Sequence, residues 1–156
     1  MCKITFYNSQ KDLSLSLPHC RKAIGYLLKY LKINTDELII HFVSTKKICL
    51  LHQTTFNDPT PTDCISFPLD AIDAPRIDYH VLGEIFICTK VAATYALQHN
   101  LRPQEELMRY IIHGILHLIG YDDMTPADYK KMKQREKNCL YYLDKSNLLS
   151  KIIKTL

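Results

Sequence analysis

Apolar and polar residues alternate from Lys3 to Tyr7, the two-residue period of a half-buried strand, and Asn8-Ser9 ends the run. From Pro18 the period changes. Ile24, Leu27, Leu28 and Leu31 recur at helical spacing, which predicts a helix. Glu37 to Val43 (ELIIHFV) is short, apolar and rich in β-branched residues, so it predicts a second strand. Ser44 is placed to cap a short helix over STKKICLLHQ, with Ile48 and Leu51 on its buried side. Asn57 to Thr62 (NDPTPT) is the clearest loop. It leads into a strand over Asp63 to Pro68, stopped by the proline.

The polar stretch Asp70 to His80 reads as a loop or hairpin arm, and Gly83 to Cys88 (GEIFIC) as another strand. Thr89 to His99 has helical spacing, with Val91, Ala92, Tyr95 and Ala96 on one side. Pro103 opens a stronger helix to about Ile119, ended by Gly120. The last helix begins at Thr125-Pro126-Ala127-Asp128, where Thr125 caps and Asp128 sits at the capping-box position. Met132, Cys139 and Leu140 mark its apolar side. The order is strand, helix, strand, helix, two strands, then three helices. That order predicts an α+β fold in one domain over residues 1–156: a small mixed sheet of about four strands with helices packed on it.

Composition adds constraints. The chain is 47% hydrophobic and 23% charged, which places it among ordinary globular proteins rather than fibrous or disordered ones. A net charge of +4 permits contact with a phosphate backbone without demanding it. The six cysteines are dispersed with no CxxC pair, and the opening MCKITFYNSQ has no apolar signal region. Reduced thiols and a cytoplasmic location are therefore expected. No apolar run approaches the roughly 18 residues of a membrane span.

The segment richest in chemistry is His113-Gly-Ile-Leu-His117-Leu-Ile-Gly120-Tyr-Asp-Asp123. Histidines four apart on a helix point the same way, so both imidazoles can reach one metal ion. Burying two imidazoles is costly unless each finds a partner, and a metal supplies both. A catalytic zinc keeps three protein ligands and one open position. Gly120 lets the chain turn sharply, which places Asp123 to swing back as the third ligand, with Asp122 its neighbour and competitor. A lone histidine on an apolar face is ordinarily a hydrogen-bonded core residue; this pair, with its glycine turn and carboxylates, favours a metal site. The HExxH peptidases place a glutamate base directly after the first histidine. Here that position is Gly114, which argues against peptide hydrolysis.

These residues resemble the YbeY family of bacterial rRNA maturation factors, single-domain metal-dependent endoribonucleases. HGILHLIGYDD matches that family's HGxLHLxGYDH signature, Pro61 to Pro68 (PTDCISFP) its PTDVLSFP, and Leu82 to Ile85 (LGEI) its LGDI strand. The resemblance covers almost the whole chain. It implies one Zn2+ per chain held by His113, His117 and the residue at 123, with Ser66 near the metal cleft. It also implies single-strand-specific RNA cleavage in rRNA maturation and ribosome quality control. The partners would be rRNA, the small ribosomal subunit and ribosome-associated proteins.

Two departures stand out. Asp123 replaces the signature's last histidine; aspartate is a legitimate zinc ligand, but its charge makes the ion a weaker Lewis acid. Phe56 stands where the family typically has an arginine, and Lys46, Lys47 and Arg76 are the candidates to supply its charge. Asp63 is expected to hold its loop, and Glu84 to pair with a basic residue. The run Lys130, Lys131, Lys133, Arg135, Lys137 reads as a solvated helix face or as a contact for nucleic acid. Three functions follow: the endoribonuclease, a ribosome-assembly binding protein with a structural or vestigial metal, and a metal-dependent hydrolase of another substrate.

Overall fold

A computed structural model describes residues 1–154. The elements run β1 (Lys3–Asn8), α1 (Leu17–Tyr30), β2 (Glu37–Val43), α2 (Thr45–Phe56), β3 (Cys64–Pro68), β4 (Val81–Cys88), α3 (Thr89–Gln98), α4 (Pro103–Leu118) and α5 (Pro126–Lys145). The four strands form one sheet in the order β1-β2-β4-β3. β1 and β2 pair in parallel, as do β2 and β4, while β3 runs antiparallel along β4. The fold is the α+β architecture with a mixed four-stranded sheet that the element order predicts.

Alternation in β2 buries Leu38, Ile40 and Phe42. In register beside them on β4, Ile85 lies opposite Ile40 and Ile87 opposite Phe42. This face forms the main core with Ile24 and Leu27 of α1 and with Leu107, Met108 and Ile111 of α4. The other face carries a smaller cluster of Val43, Ile48, Ile65 and Cys88 under α2. Along the same face runs a ladder of rings, Tyr7 on His41 at 4.9 Å and His41 on Phe86 at 4.1 Å. Glu84 meets the His41 ring there at 3.0 Å, so its partner is a histidine.

The predicted caps are made. Ser44 accepts the Lys47 N–H at 3.3 Å, and Thr125 accepts the Asp128 N–H at 3.1 Å. The 70–80 stretch connects β3 to β4. It is tied down by Arg76, which donates to Asp36 at 2.9 Å and to the Asn34 carbonyl at 2.7 Å. All six cysteines are free thiols. Burial pushes the Cys20 thiol up to about 12 and the Cys139 thiol up to about 11, so both behave as small apolar groups. No helix among the described residues is long and apolar enough to cross a membrane.

Candidate metal centre

α4 lies close on β3 and β4 because residue 114 has no side chain. A Cβ there would stand 2.7 Å from Ile85 Cγ2 and 3.2 Å from Ser66 Oγ. Ser66 Oγ donates to the Gly114 carbonyl at 3.3 Å, tying β3 to the helix between the two histidines. Packing therefore demands glycine at this position, and no general base can stand there. After Leu118, Gly120 takes φ 103, a conformation few residues other than glycine adopt. The chain then reverses, and the Tyr121 carbonyl accepts the Nδ1–H of His117 at 3.0 Å.

That reversal brings Asp123 back over the helix. His113, His117 and Asp123 each offer a ligand atom, and these atoms lie within 4.8 Å of one another. The two Nε2 atoms are 3.0 Å apart, and Asp123 Oδ2 is 3.6 Å from each. Asp122, the competing carboxylate, instead accepts the Asp123 backbone N–H at 2.7 Å.

Hydrogen bonding on the far side of each ring decides what the centre can hold. His113 Nδ1 faces Glu136 Oε2 at 2.9 Å and His117 Nδ1 faces a carbonyl, so both rings carry their proton on Nδ1. Both Nε2 lone pairs and a carboxylate oxygen then converge with no donor among them. Such a cluster calls for positive charge. Without a metal, a proton supplies it: burial opposes the His113 imidazolium, but the Glu136 bond and charge outweigh burial and hold its pKa above the ordinary 6.5. Burial likewise opposes the Glu136 carboxylate, and the bond to His113 with the nearby Lys133 holds its pKa below the ordinary 4.5. Two imidazole nitrogens and one carboxylate oxygen are a donor set for a transition metal such as zinc, so these residues fit one.

Two cavities open beside the group. One, of about 290 Å³, is walled by His113, His117, Cys64, Ser66 and Phe56. The other, of about 460 Å³, lies along His113 and includes Asp63, Tyr129, Lys133 and Glu136. Asp63 accepts the Cys64 N–H at 2.7 Å and the Thr62 hydroxyl at 3.2 Å, which holds the start of β3 as expected. Phe56 keeps 61% of its surface exposed. Neither Lys46 nor Lys47 lines the smaller cavity, and Arg76 is occupied with Asp36. Glu136 was not singled out in the sequence. A signal for it existed: it is an acid on the apolar stripe of α5, between Met132 and Cys139-Leu140, and it is 1% exposed.

Fold and site together define a single-domain α+β protein with a candidate His-His-Asp metal group at the end of its central helix. Residues 5–144 match the family model described as Endoribonuclease YbeY. The Endoribonuclease YbeY of Protochlamydia amoebophila (strain UWE25) is 44% identical over 92% of this chain and 95% of that relative. The Endoribonuclease YbeY of Chlamydia felis is 38% identical over 95% and 96%. The solution structure of TM1509 from Thermotoga maritima superposes with a TM-score of 0.61 at 26% identity, covering 92% of this chain and 93% of that one. The chain belongs to the YbeY endoribonuclease family.

Proposed function

We propose that this protein is a metal-dependent endoribonuclease that cleaves single-stranded segments of rRNA during maturation and ribosome quality control, with one zinc ion held by His113, His117 and Asp123. The observation that carries it is the convergence of three acceptor atoms, with no donor between them, at a cleft in a chain of this family. A bound divalent ion supplies Lewis acidity and a water nucleophilic at neutral pH, the chemistry phosphodiester hydrolysis needs.

The chain's residues do the rest. Glu136 and the Tyr121 carbonyl hold both imidazoles with Nε2 toward the cleft. Asp123 would complete the ligand set beside the two cavities that His113 lines. Ser66, whose hydroxyl proton goes to the Gly114 carbonyl, keeps lone pairs for a donor in the cleft, such as a water near the phosphate. Its partners would be rRNA, the small ribosomal subunit and its associated proteins.

The test is single-turnover cleavage of single-stranded rRNA fragments by purified protein. Replacement of His117 by Ala should abolish cleavage together with the metal; cleavage retained by a metal-free His117→Ala protein contradicts the proposal. A second reading, a ribosome-assembly binding protein with a structural or vestigial metal, draws on one observation. The smaller cavity is lined by Phe56 and by no lysine or arginine. Wild-type protein that binds zinc and rRNA but never cuts would establish that reading.

A further inference from the structure

We infer that the face of α5 carrying Lys130, Lys131 and Arg135 is a binding site for the backbone phosphates of single-stranded RNA, separate from the His113–His117–Asp123 group; this rests on the endoribonuclease reading. Positions 127, 130, 131, 134 and 138 recur at three and four residues, so they form one stripe of the helix. With Tyr121 and Arg135 they line a cavity of about 440 Å³. Among the described residues its lining holds three cations and no carboxylate. Among the described residues none of the three cations forms an ion pair, whereas Lys133, one turn away, meets Glu136 at 3.5 Å. The cavity beside His113 differs in this respect, because its Arg109 is held by Glu106 at 3.2 Å.

Arg135 is the cation of the three that is held in place. Its guanidinium lies 5.3 Å above the Tyr30 ring, and Tyr30 stacks on Tyr142 with centroids 4.3 Å apart. Held on that platform, its Nε is covered, and among the described residues its guanidinium makes no hydrogen bond, which leaves the rest of the fork for the cavity that Arg135 lines. Buried donors are normally satisfied, and a guanidinium fork matches phosphate oxygens. Another cationic groove, between α1 and β1, is weaker: its Arg21 already donates to the Ile4 carbonyl at 3.4 Å.

The geometry also connects the α5 cavity to the candidate metal centre. Tyr121, in its wall, is the residue whose carbonyl fixes His117. The α5 cavity thus shares a residue with the turn that fixes His117.

Salt dependence tests this directly. A short single-stranded 2′-O-methyl oligoribonucleotide keeps the phosphates, and its binding to the intact, metal-loaded chain would be followed by anisotropy across a salt series. For single strands, log affinity falls with log salt by about 0.7 per phosphate contact. The Lys130→Gln/Lys131→Gln double variant, whose side chains are exposed and so not needed for folding, should flatten the slope by about 1.4 and weaken binding at low salt at least about tenfold. Adding Arg135→Gln should flatten it further, while Arg135→Lys should retain the wild-type slope. Wild-type slope and affinity in the double and triple variants would overturn the proposal. So would intact RNA binding with lost capture by phosphatidylserine vesicles, which would reassign the patch to a membrane. If the wild-type chain binds no single-stranded RNA at all, the endoribonuclease reading fails first and this site with it.

Discussion

Glu136 sits on an otherwise apolar stripe and gives its buried carboxylate to His113, so its effect should be felt at the metal. Outer partners of ligating histidines are typically worth about 10- to 100-fold in metal affinity. Glu136→Leu should lower zinc affinity by that order in chelator competition, while Glu136→Gln, whose amide oxygen can still accept the Nδ1–H, should retain most of it. Equal affinity in both variants and wild type would show that the pair does not orient the ligand.

The same pair shapes the metal-free protein's response to pH. The raised His113 pKa stabilises the fold fully below the ordinary imidazole value and loses that stabilisation as pH rises through its folded value. The lowered Glu136 pKa stabilises above the ordinary carboxylate value and is lost as pH falls through its folded value. Urea midpoints of metal-free wild type and Glu136→Gln should therefore differ most between the ordinary values of 4.5 and 6.5. A difference that does not change with pH contradicts the ion pair.

α4 owes its position to one missing side chain. Gly114→Ala gains about 1 kcal/mol of helix propensity, but its Cβ would meet Ile85 Cγ2 at 2.7 Å in a fully buried core. Overpacking of that kind costs about 1–3 kcal/mol, so the variant should melt at lower temperature and bind zinc less well; a higher melting temperature with unchanged zinc would mean that α4 can shift freely.

Elements such as α4 were legible because their signals are local: Pro103 and Glu105-Glu106 in the first turn, apolar spacing through Leu116, and Gly120 after the end. The His113–His117 pair and its return to Asp123 were legible for the same reason, all lying within one helix end and one turn. The strand order β1-β2-β4-β3 was not, since pairing Ile40 with Ile85 is a long-range event with no neighbouring signature. Glu136 was missed on the same ground, because it reaches His113 from 23 residues away on another helix.

In the whole molecule, the sheet, α4 and α5 converge on one end of α4, where two cavities flank the histidines and a third, cationic one lies beyond the Tyr121 turn. Sequence alone reached the candidate metal group and, by resemblance, the family. It did not reach the contrast between carboxylate-bearing and carboxylate-free surfaces, because which charges are paired depends in part on long-range contacts such as Arg76 with Asp36. Whether His113, His117 and Asp123 hold one zinc ion is decided by elemental mass spectrometry of untagged protein purified without chelators. About one zinc per wild-type chain is expected, lost in folded His113→Ala, His117→Ala and Asp123→Ala variants. Folded wild-type protein with no bound metal, or variants that keep it, would show that these three residues do not form a zinc site.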